Sequence, residues 1–460
     1  MPESAYDCIV IGSGPGGYVA AIRAAQLGMK SAVVESDLVG GRCLNYACIP
    51  AKAVLRVADV LGEIRGAGDF GITVADPVVD FEAVGERRKR VIKTLTGGVA
   101  GLFSKHGIDV IEGHGAVTDE GDVKIGGNFD GTEIKAGTVI LATGSLPKPL
   151  PGARFGGRVI GTEEAWALAE LPATLAVVGA GASGTEIASA YARLGSDVTL
   201  YEGLDRVLPT EDADVSKLAE RGFKKQGIKV RTGVFVENVE SGVDGVRFTV
   251  AGEPSSADYL VIAAGRAPDI EGLGLDQAGI ALAKTGLIDV DGAMRTSLAG
   301  VYAIGDLVLG PALAHKASDE GVIAVEDAAG RSTHPLSYVD IPRATFCTPN
   351  VASFGLTEEQ AREQGHDVAV GKLQYGAVGA GTVYGDRSGM VKIVGERKYG
   401  ELLGGHIVGA KATELIQELV NARALEGGFA EVARIVHGHP TLSEAVMEAA
   451  RAADGWLIHG

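Results

Sequence analysis

Apolar residues along this chain come in short continuous runs, and most of these runs stop at a glycine. Tyr6–Ile11 reads as a buried strand, followed by Gly12-Ser13-Gly14-Pro15-Gly16-Gly17. Apolar positions then recur at helical spacing through Ala20, Ala24 and Leu27 to Gly28, and a second strand at 31–34 ends in Glu35. The same order returns from residue 175: a strand at 175–178, Gly179-Ala180-Gly181-Ala182-Ser183-Gly184, a helix through Ile187, Tyr191 and Leu194 to Gly195, a strand at 197–201, and Glu202. Gly12, Gly14, Gly17, Gly28 and Glu35 map onto Gly179, Gly181, Gly184, Gly195 and Glu202 without an insertion. Such strand–helix–strand units predict an α/β protein with two Rossmann-like domains.

One G-x-G-x-x-G is weak evidence, but two in register, each closed by an acid at a strand end, are strong. The first glycine makes a tight turn, the second lets backbone approach a pyrophosphate, and the third lets helix pack on strand. The helix N-terminus adds free N–H groups and partial positive charge. Glu35 and Glu202 are placed to accept from ribose hydroxyls. The bland alternative, two glycine turns that bind nothing, leaves the recurrence of the acids at one offset without a packing reason.

Each unit is closed later by a similar segment, V-I-L-A-T-G-S-L-P at 139–147 and V-I-A-A-G-R-A-P at 261–268, and a third strand, Val301-Tyr302-Ala303-Ile304-Gly305-Asp306, ends in an acid. The second unit therefore reads as an insertion in the first. The expected division is a first dinucleotide-binding domain over 1–148 that resumes over 270–338, a second over 149–269, and a C-terminal domain over 339–460. That last part carries no fingerprint; strands at 345–354, 390–394 and 401–408 and helices at 413–425 and 442–453 give it an α+β character. A chain of 460 residues is too long for one ordinary core, which agrees with several domains.

The 68 glycines follow no collagen-like period, so they serve turns and close approaches. A net charge of −17 argues against nucleic acid and anionic membranes as partners. No apolar run is long enough for a bilayer. The polar start, 1–7, enters a strand directly and shows no secretory signal. Few cysteines and no export signal predict a cytoplasmic location, where a persistent structural disulfide would be unusual.

Two of the four cysteines stand in Gly40-Gly41-Arg42-Cys43-Leu44-Asn45-Tyr46-Ala47-Cys48-Ile49-Pro50-Ala51-Lys52. Residues five apart in an ideal helix lie roughly 8–9 Å apart, whereas a disulfide needs about 4.4–6.8 Å between Cα atoms. If Cys43 and Cys48 pair, the chain must be distorted here, which suits a bond made to open and close. Zinc is the poorer alternative, since it prefers two such pairs or added histidines, and two unrelated buried thiols is the bland one. Cys8 and Cys347 read as core thiols. No metal site is expected.

Taken together, the cysteine segment, both fingerprints, Ala142-Thr143-Gly144-Ser145, the 302–306 segment, Leu313-Ala314-His315-Lys316 and His437-Gly438-His439-Pro440-Thr441-Leu442-Ser443-Glu444 resemble the pyridine nucleotide–disulfide oxidoreductases over essentially the whole chain. The closest likeness is to members that oxidise dihydrolipoyl groups. The resemblance implies FAD on the first fingerprint, held by Gly12, Gly14, Gly17, Glu35, Gly115, Thr143, Gly144, Ser145, Asp306, Ala314 and His315. Lys52 is implied near the flavin ring, with Glu186 as its ion partner. It implies NAD on Gly179, Gly181, Gly184, Glu202 and Gly265. Cys43 is implied as the interchange thiol, Cys48 as the thiol facing the flavin, and His439 with Glu444 as an acid–base pair supplied by the other subunit of a homodimer. The implied partners are lipoyl groups on an acyltransferase or carrier protein. The alternative is a reductase of a glutathione- or mycothiol-type disulfide. Arg42, Tyr46, Ala47, Ala51 and Ser183 depart from the family's usual residues, and none removes a reactive group.

Two details follow from the residues themselves. Thr441-x-x-Glu444 is a capping-box pattern, compatible with Glu444 also orienting His439. Glu202 favours NAD, because a carboxylate there accepts from a ribose 2′-OH and repels a 2′-phosphate; Arg206 lies four residues on.

Overall fold

The structure, a computed structural model, describes residues 5–126 and 131–460; the first four residues of the polar N-terminal stretch lie outside them. The chain divides into two compact units, one of residues up to Ala53, Ala83–Lys148 and Arg266–Tyr338, the other of Val54–Glu82, Pro149–Gly265 and Val339–Gly460.

In the first unit a five-stranded parallel sheet runs in the order Val301–Ala303, Ala136–Leu141, Tyr6–Ile11, Ser31–Glu35, Asp109–Glu112. Both of its faces are covered. Ile9, Ile11, Val34, Val139 and Leu141 enter one core, and Cys8, Val10, Val33 and Ile140 enter another with Ala20 and Ala24 of the helix Pro15–Gln26. That is why these strands read as continuous rather than alternating apolar runs. The exits marked by proline do not extend the strands. Ser145–Pro147 instead pairs antiparallel with Arg266–Pro268.

In the second unit the sheet order is Val159–Gly161, Tyr259–Ile262, Thr174–Val178, Asp197–Tyr201, Lys229–Arg231, again all parallel. The internal repeat thus extends to topology, except for one outer strand. The first sheet takes that strand from after its closing strand, the second from before its opening one.

The same unit holds a five-stranded antiparallel sheet in the order Arg343–Thr345, Val351–Gly355, Leu402–Val408, Met390–Glu396, Val368–Gln374. The single strand expected at 345–354 is two strands here. Thr345 faces Val351, and Asn350 Nδ2 donates to Cys347 O at 2.8 Å across the turn. Pro349 has no N–H for a ladder, so the run cannot continue through it. The strand Val368–Gln374 escaped the sequence reading. Its Gly371 lies so close to the helix Ser443–Ala453 that a Cβ would sit 1.9 Å from Ala449 O. Among the described residues, no helix is long and apolar enough to cross a membrane.

Lys392, only 3% exposed, is held at 2.8 Å by each of Asp212, Asp214 and Glu358. Burial would raise the Asp214 carboxyl, but Lys372 and Lys392 outweigh it and bring it down to about 2. A carboxyl lowered in the folded state contributes stability that is complete above its unfolded value, about 3.9, and is lost as pH falls through the folded one. Lys392→Met should destabilise by about 3–5 kcal/mol at pH 7, since it leaves the buried Asp212 carboxylate without its cation, while Asp214 keeps Lys372 and Glu358 keeps Arg362. The gap to wild type should narrow as pH falls from about 4 toward 2, where the wild-type carboxylates are protonated in turn. Urea unfolding of both proteins at pH 7 and pH 3 checks this; an equal gap at both would contradict it.

Candidate active site

The cysteine segment is a helix broken on purpose-built geometry. Gly40 and Gly41 take φ of +96° and +58°, which glycine adopts without a side-chain clash, and a short helix, Gly41–Asn45, follows. It ends at Tyr46, where Ala47 N–H reaches back five residues to Arg42 O at 3.0 Å. The long helix Cys48–Gly66 then begins. The distortion that pairing requires is present, and the two thiols meet in a hydrogen bond. That bond, then burial, push the Cys43 thiol well up, while Lys52 and Arg42 pull the other way. Lys52 lies one turn beyond Cys48 on the same helix. Cys8 and Cys347 are fully buried, and burial pushes Cys8 up to about 12.

Both fingerprints have cradle geometry. A Cβ on Gly12 would lie 2.5 Å from Ala142 O, and one on Gly17 1.9 Å from Gly12 O. In the second copy the matching distances are 2.6 Å for Gly179 to Ala263 O and 1.8 Å for Gly184 to Gly179 O. Gly14 and Gly181 differ: a Cβ there meets nothing within 4 Å, so each opens onto space that a side chain would fill. They are the N-caps of helices and, having no side chain, leave the first N–H groups without a cap from that residue. Uncapped N–H groups beside an open glycine fit a pyrophosphate.

The strand-end acids bind their own loops. Glu35 Oε2 accepts from Ser13 N at 2.8 Å and Glu202 Oε2 from Ala180 N at 2.7 Å; Oε1 accepts from Asp37 N at 3.0 Å and Leu204 N at 2.9 Å respectively. A packing reason for the repeated acid therefore exists after all. Four lone-pair sites per carboxylate still leave room for a ribose hydroxyl.

Among the other expected flavin residues, Ser145 donates to the Asp306 carboxylate, and Arg266 Nε donates to Ser145 Oγ at 2.7 Å. Thr143 Oγ donates to Asp269 O at 2.6 Å, and Gly144 follows at φ +83°. Gly115 is small because a Cβ would lie 3.1 Å from the Ile11 side chain. Ala314 and His315 open the helix Ala314–Ala328, whose N-cap residue, Leu313, makes no side-chain cap hydrogen bond. Sequence reasoning missed what holds Asp306. Fully buried Lys316 donates to Gly305 O at 2.7 Å, and Glu320 Oε2 accepts from Gly305 N at 2.8 Å. A Lys–Glu pair four apart in an apolar helix was the available signal.

On the nicotinamide side, Gly265 sits at φ +130° facing open space. Glu186 is buried and accepts from Phe346 N at 2.9 Å.

His439 and Glu444 are joined, Nδ1 to Oε1 at 2.9 Å, with the histidine side chain 75% exposed. The other oxygen, Oε2, accepts from Thr441 N at 2.9 Å. The capping box is only half made, since Thr441 Oγ1 donates to Gly438 O instead. Glu444 therefore caps and orients at once. Burial would raise its carboxyl, but the Thr441 N–H and His439 outweigh that and hold it below its ordinary value. His437 is a packed residue bound to Glu418 and Ile435 O.

Dinucleotide cradles, paired thiols and a presented histidine are the parts of a disulfide-handling flavoenzyme, and comparison with known proteins agrees. Residues 6–321 match the family model for pyridine nucleotide-disulphide oxidoreductases, and 341–450 match that family's dimerisation domain. The chain belongs to the pyridine nucleotide-disulphide oxidoreductase family. The dihydrolipoyl dehydrogenase of Bacillus subtilis is 41% identical over 98% of this chain and 97% of its own. The dihydrolipoyl dehydrogenase of Mycobacterium tuberculosis is 43% identical over 99% of both. A crystal structure of LpdA from Mycobacterium tuberculosis superposes with a TM-score of 0.90 at 29% identity, covering 96% of this chain and 99% of that one. The family uses FAD and NAD(H), and its dimerisation domain makes the protein a homodimer.

Proposed function

We propose that this protein oxidises dihydrolipoyl groups to lipoyl disulfide and reduces NAD, using Cys43 and Cys48 as a reversible dithiol/disulfide pair. The observation that carries this reading is the meeting of the two thiols at a break between helices, beside the first fingerprint. Full-length relatives named for that activity support it.

A substrate thiolate attacks Cys43 Sγ of the oxidised pair. The S–S bond breaks and Cys48 leaves as thiolate. The second substrate thiol, losing its proton to His439, attacks the substrate sulfur of the mixed disulfide, releasing lipoyl disulfide and the Cys43 thiolate. Glu444 holds the imidazole tautomer that can take this proton at neutral pH. Lys52, one turn past Cys48, offers positive charge to the thiolate. FAD bound there would supply the two-electron relay between these sulfurs and NAD. Gly12, Gly14, Gly17, Glu35, Gly115, Thr143, Gly144, Ser145, Asp306, Ala314 and His315 would hold FAD, with Lys52 near its ring; Gly179, Gly181, Gly184, Glu202 and Gly265 would serve NAD.

The domain boundaries belong to this reading: FAD-binding over 1–148 and 270–338, NAD-binding over 149–269, dimerisation over 339–460. So do lipoyl groups on an acyltransferase or carrier protein as partners, and a cytoplasmic location, where a disulfide that must reopen at every turnover is kept reducible. Steady-state rates with dihydrolipoamide and with glutathione- or mycothiol-type substrates, using both nicotinamides, test the assignment. Preference for dihydrolipoamide with NAD supports it, and preference for NADPH with another disulfide would replace it.

Glu202→Ala should narrow the gap between NAD and NADP, because it removes the charge that repels a 2′-phosphate. The ratio of kcat/KM for the two cofactors reads this out; an unchanged ratio would show that the carboxylate is not the selector.

A further inference from the structure

The two fingerprints match residue for residue at their glycines and acids, and they differ at the position after the first glycine. The first has Ser13 and the second Ala180. Both backbone N–H groups do the same thing, donating to the strand-end acid. The hydroxyl is the addition. Ser13 is fully buried, and its Oγ donates to Glu35 Oε2 at 2.5 Å while accepting from Gly40 N at 3.1 Å. A buried hydroxyl with both roles filled is a fixed strut rather than a rotor.

Gly40 begins the turn that presents Cys43 three residues later. The next residue is packed against the same loop: a Cβ on Gly41 would lie 2.6 Å from Gly14 Cα. The turn has left-handed φ at both glycines, so little in its own conformational preferences fixes its direction. No cysteine segment follows the second fingerprint, and there the hydroxyl is missing.

We propose that Ser13 Oγ is a positioning residue for the redox pair: it ties the Gly40–Gly41 turn to the first fingerprint and to Glu35, and so sets where Cys43 and Cys48 stand relative to the FAD cradle. This rests on the reading above that the pair is redox-active beside bound FAD.

The test is Ser13→Ala in the FAD-loaded protein. Two readouts are taken together: the long-wavelength thiolate–flavin absorbance after anaerobic reduction by one equivalent of dihydrolipoamide, and the ratio of dihydrolipoamide turnover to NADH–ferricyanide turnover, which bypasses the thiols. The tether predicts a protein that keeps FAD, loses at least about half of that absorbance, and shows a ratio lowered about tenfold, the effect of one lost buried hydrogen bond at roughly 1.4 kcal/mol. Wild-type values for either readout would overturn the proposal. Loss of FAD from the variant would also overturn it, by assigning the hydroxyl to Glu35 and the cradle alone. Wild type that itself lacks the absorbance would instead strike the underlying function, whatever the variant does.

Discussion

His439→Gln will slow dihydrolipoamide oxidation by about 10²–10⁴-fold, the usual worth of a positioned acid–base group. A substrate dithiol reacts as thiolate, and its protons must leave as each sulfur bond forms. Glutamine fills similar space but cannot take a proton. The site is suited to the task. One Glu444 oxygen fixes the imidazole from the Nδ1 side, which leaves Nε2 as the working nitrogen, and the ring stands 75% exposed on its own chain. Glu444→Gln should have a smaller effect, because it weakens orientation without removing the base. NADH–ferricyanide turnover, which involves no dithiol, should fall far less than dithiol oxidation in both variants. A His439→Gln protein within a factor of a few of wild type would remove the histidine from the mechanism.

Cys43→Ser and Cys48→Ser will each reduce NAD-linked dihydrolipoamide oxidation to background, the larger of the two effects. An oxygen in place of either sulfur prevents the disulfide from forming, so no exchange path remains. The two variants should differ in colour. Cys43→Ser keeps the Cys48 sulfur and should show thiolate–flavin absorbance without reduction by dithiol. Cys48→Ser should show none under any condition. Equal spectra in both would exchange or dissolve the roles assigned to the two thiols. Lys52 and Arg42 both pull the Cys43 thiol downward against its hydrogen bond and burial, so the charges that favour a thiolate are already in place.

Much of this was legible in the residues because the constraints are local. A glycine whose Cβ would lie 1.9 Å from a backbone oxygen can be nothing else, so Gly17 announces its turn in any sequence that makes it. Paired cysteines with four residues between them required a break, and the break occurs at Tyr46–Ala47. The recurrence of Glu35 and Glu202 was legible, but its structural half was not: each acid also receives a loop N–H, which only the folded register reveals. Residues that act across long separations stayed hidden. Arg266 on Ser145 and Ser13 beneath Gly40 are ordinary polar residues until the chain brings their partners to them. The strand Val368–Gln374 was lost because its central glycine breaks the apolar run, and that glycine is there for the helix packed on it.

The proposed chemistry requires a reversible Cys43–Cys48 disulfide in electronic contact with a bound flavin. The decisive experiment is an anaerobic titration of the purified yellow protein with dihydrolipoamide. One equivalent should open the pair, expose two new thiols to alkylation at Cys43 and Cys48, and raise a long-wavelength absorbance that vanishes on reoxidation by NAD. A protein that purifies without flavin, or one whose flavin bleaches while both thiols stay unchanged, would contradict it.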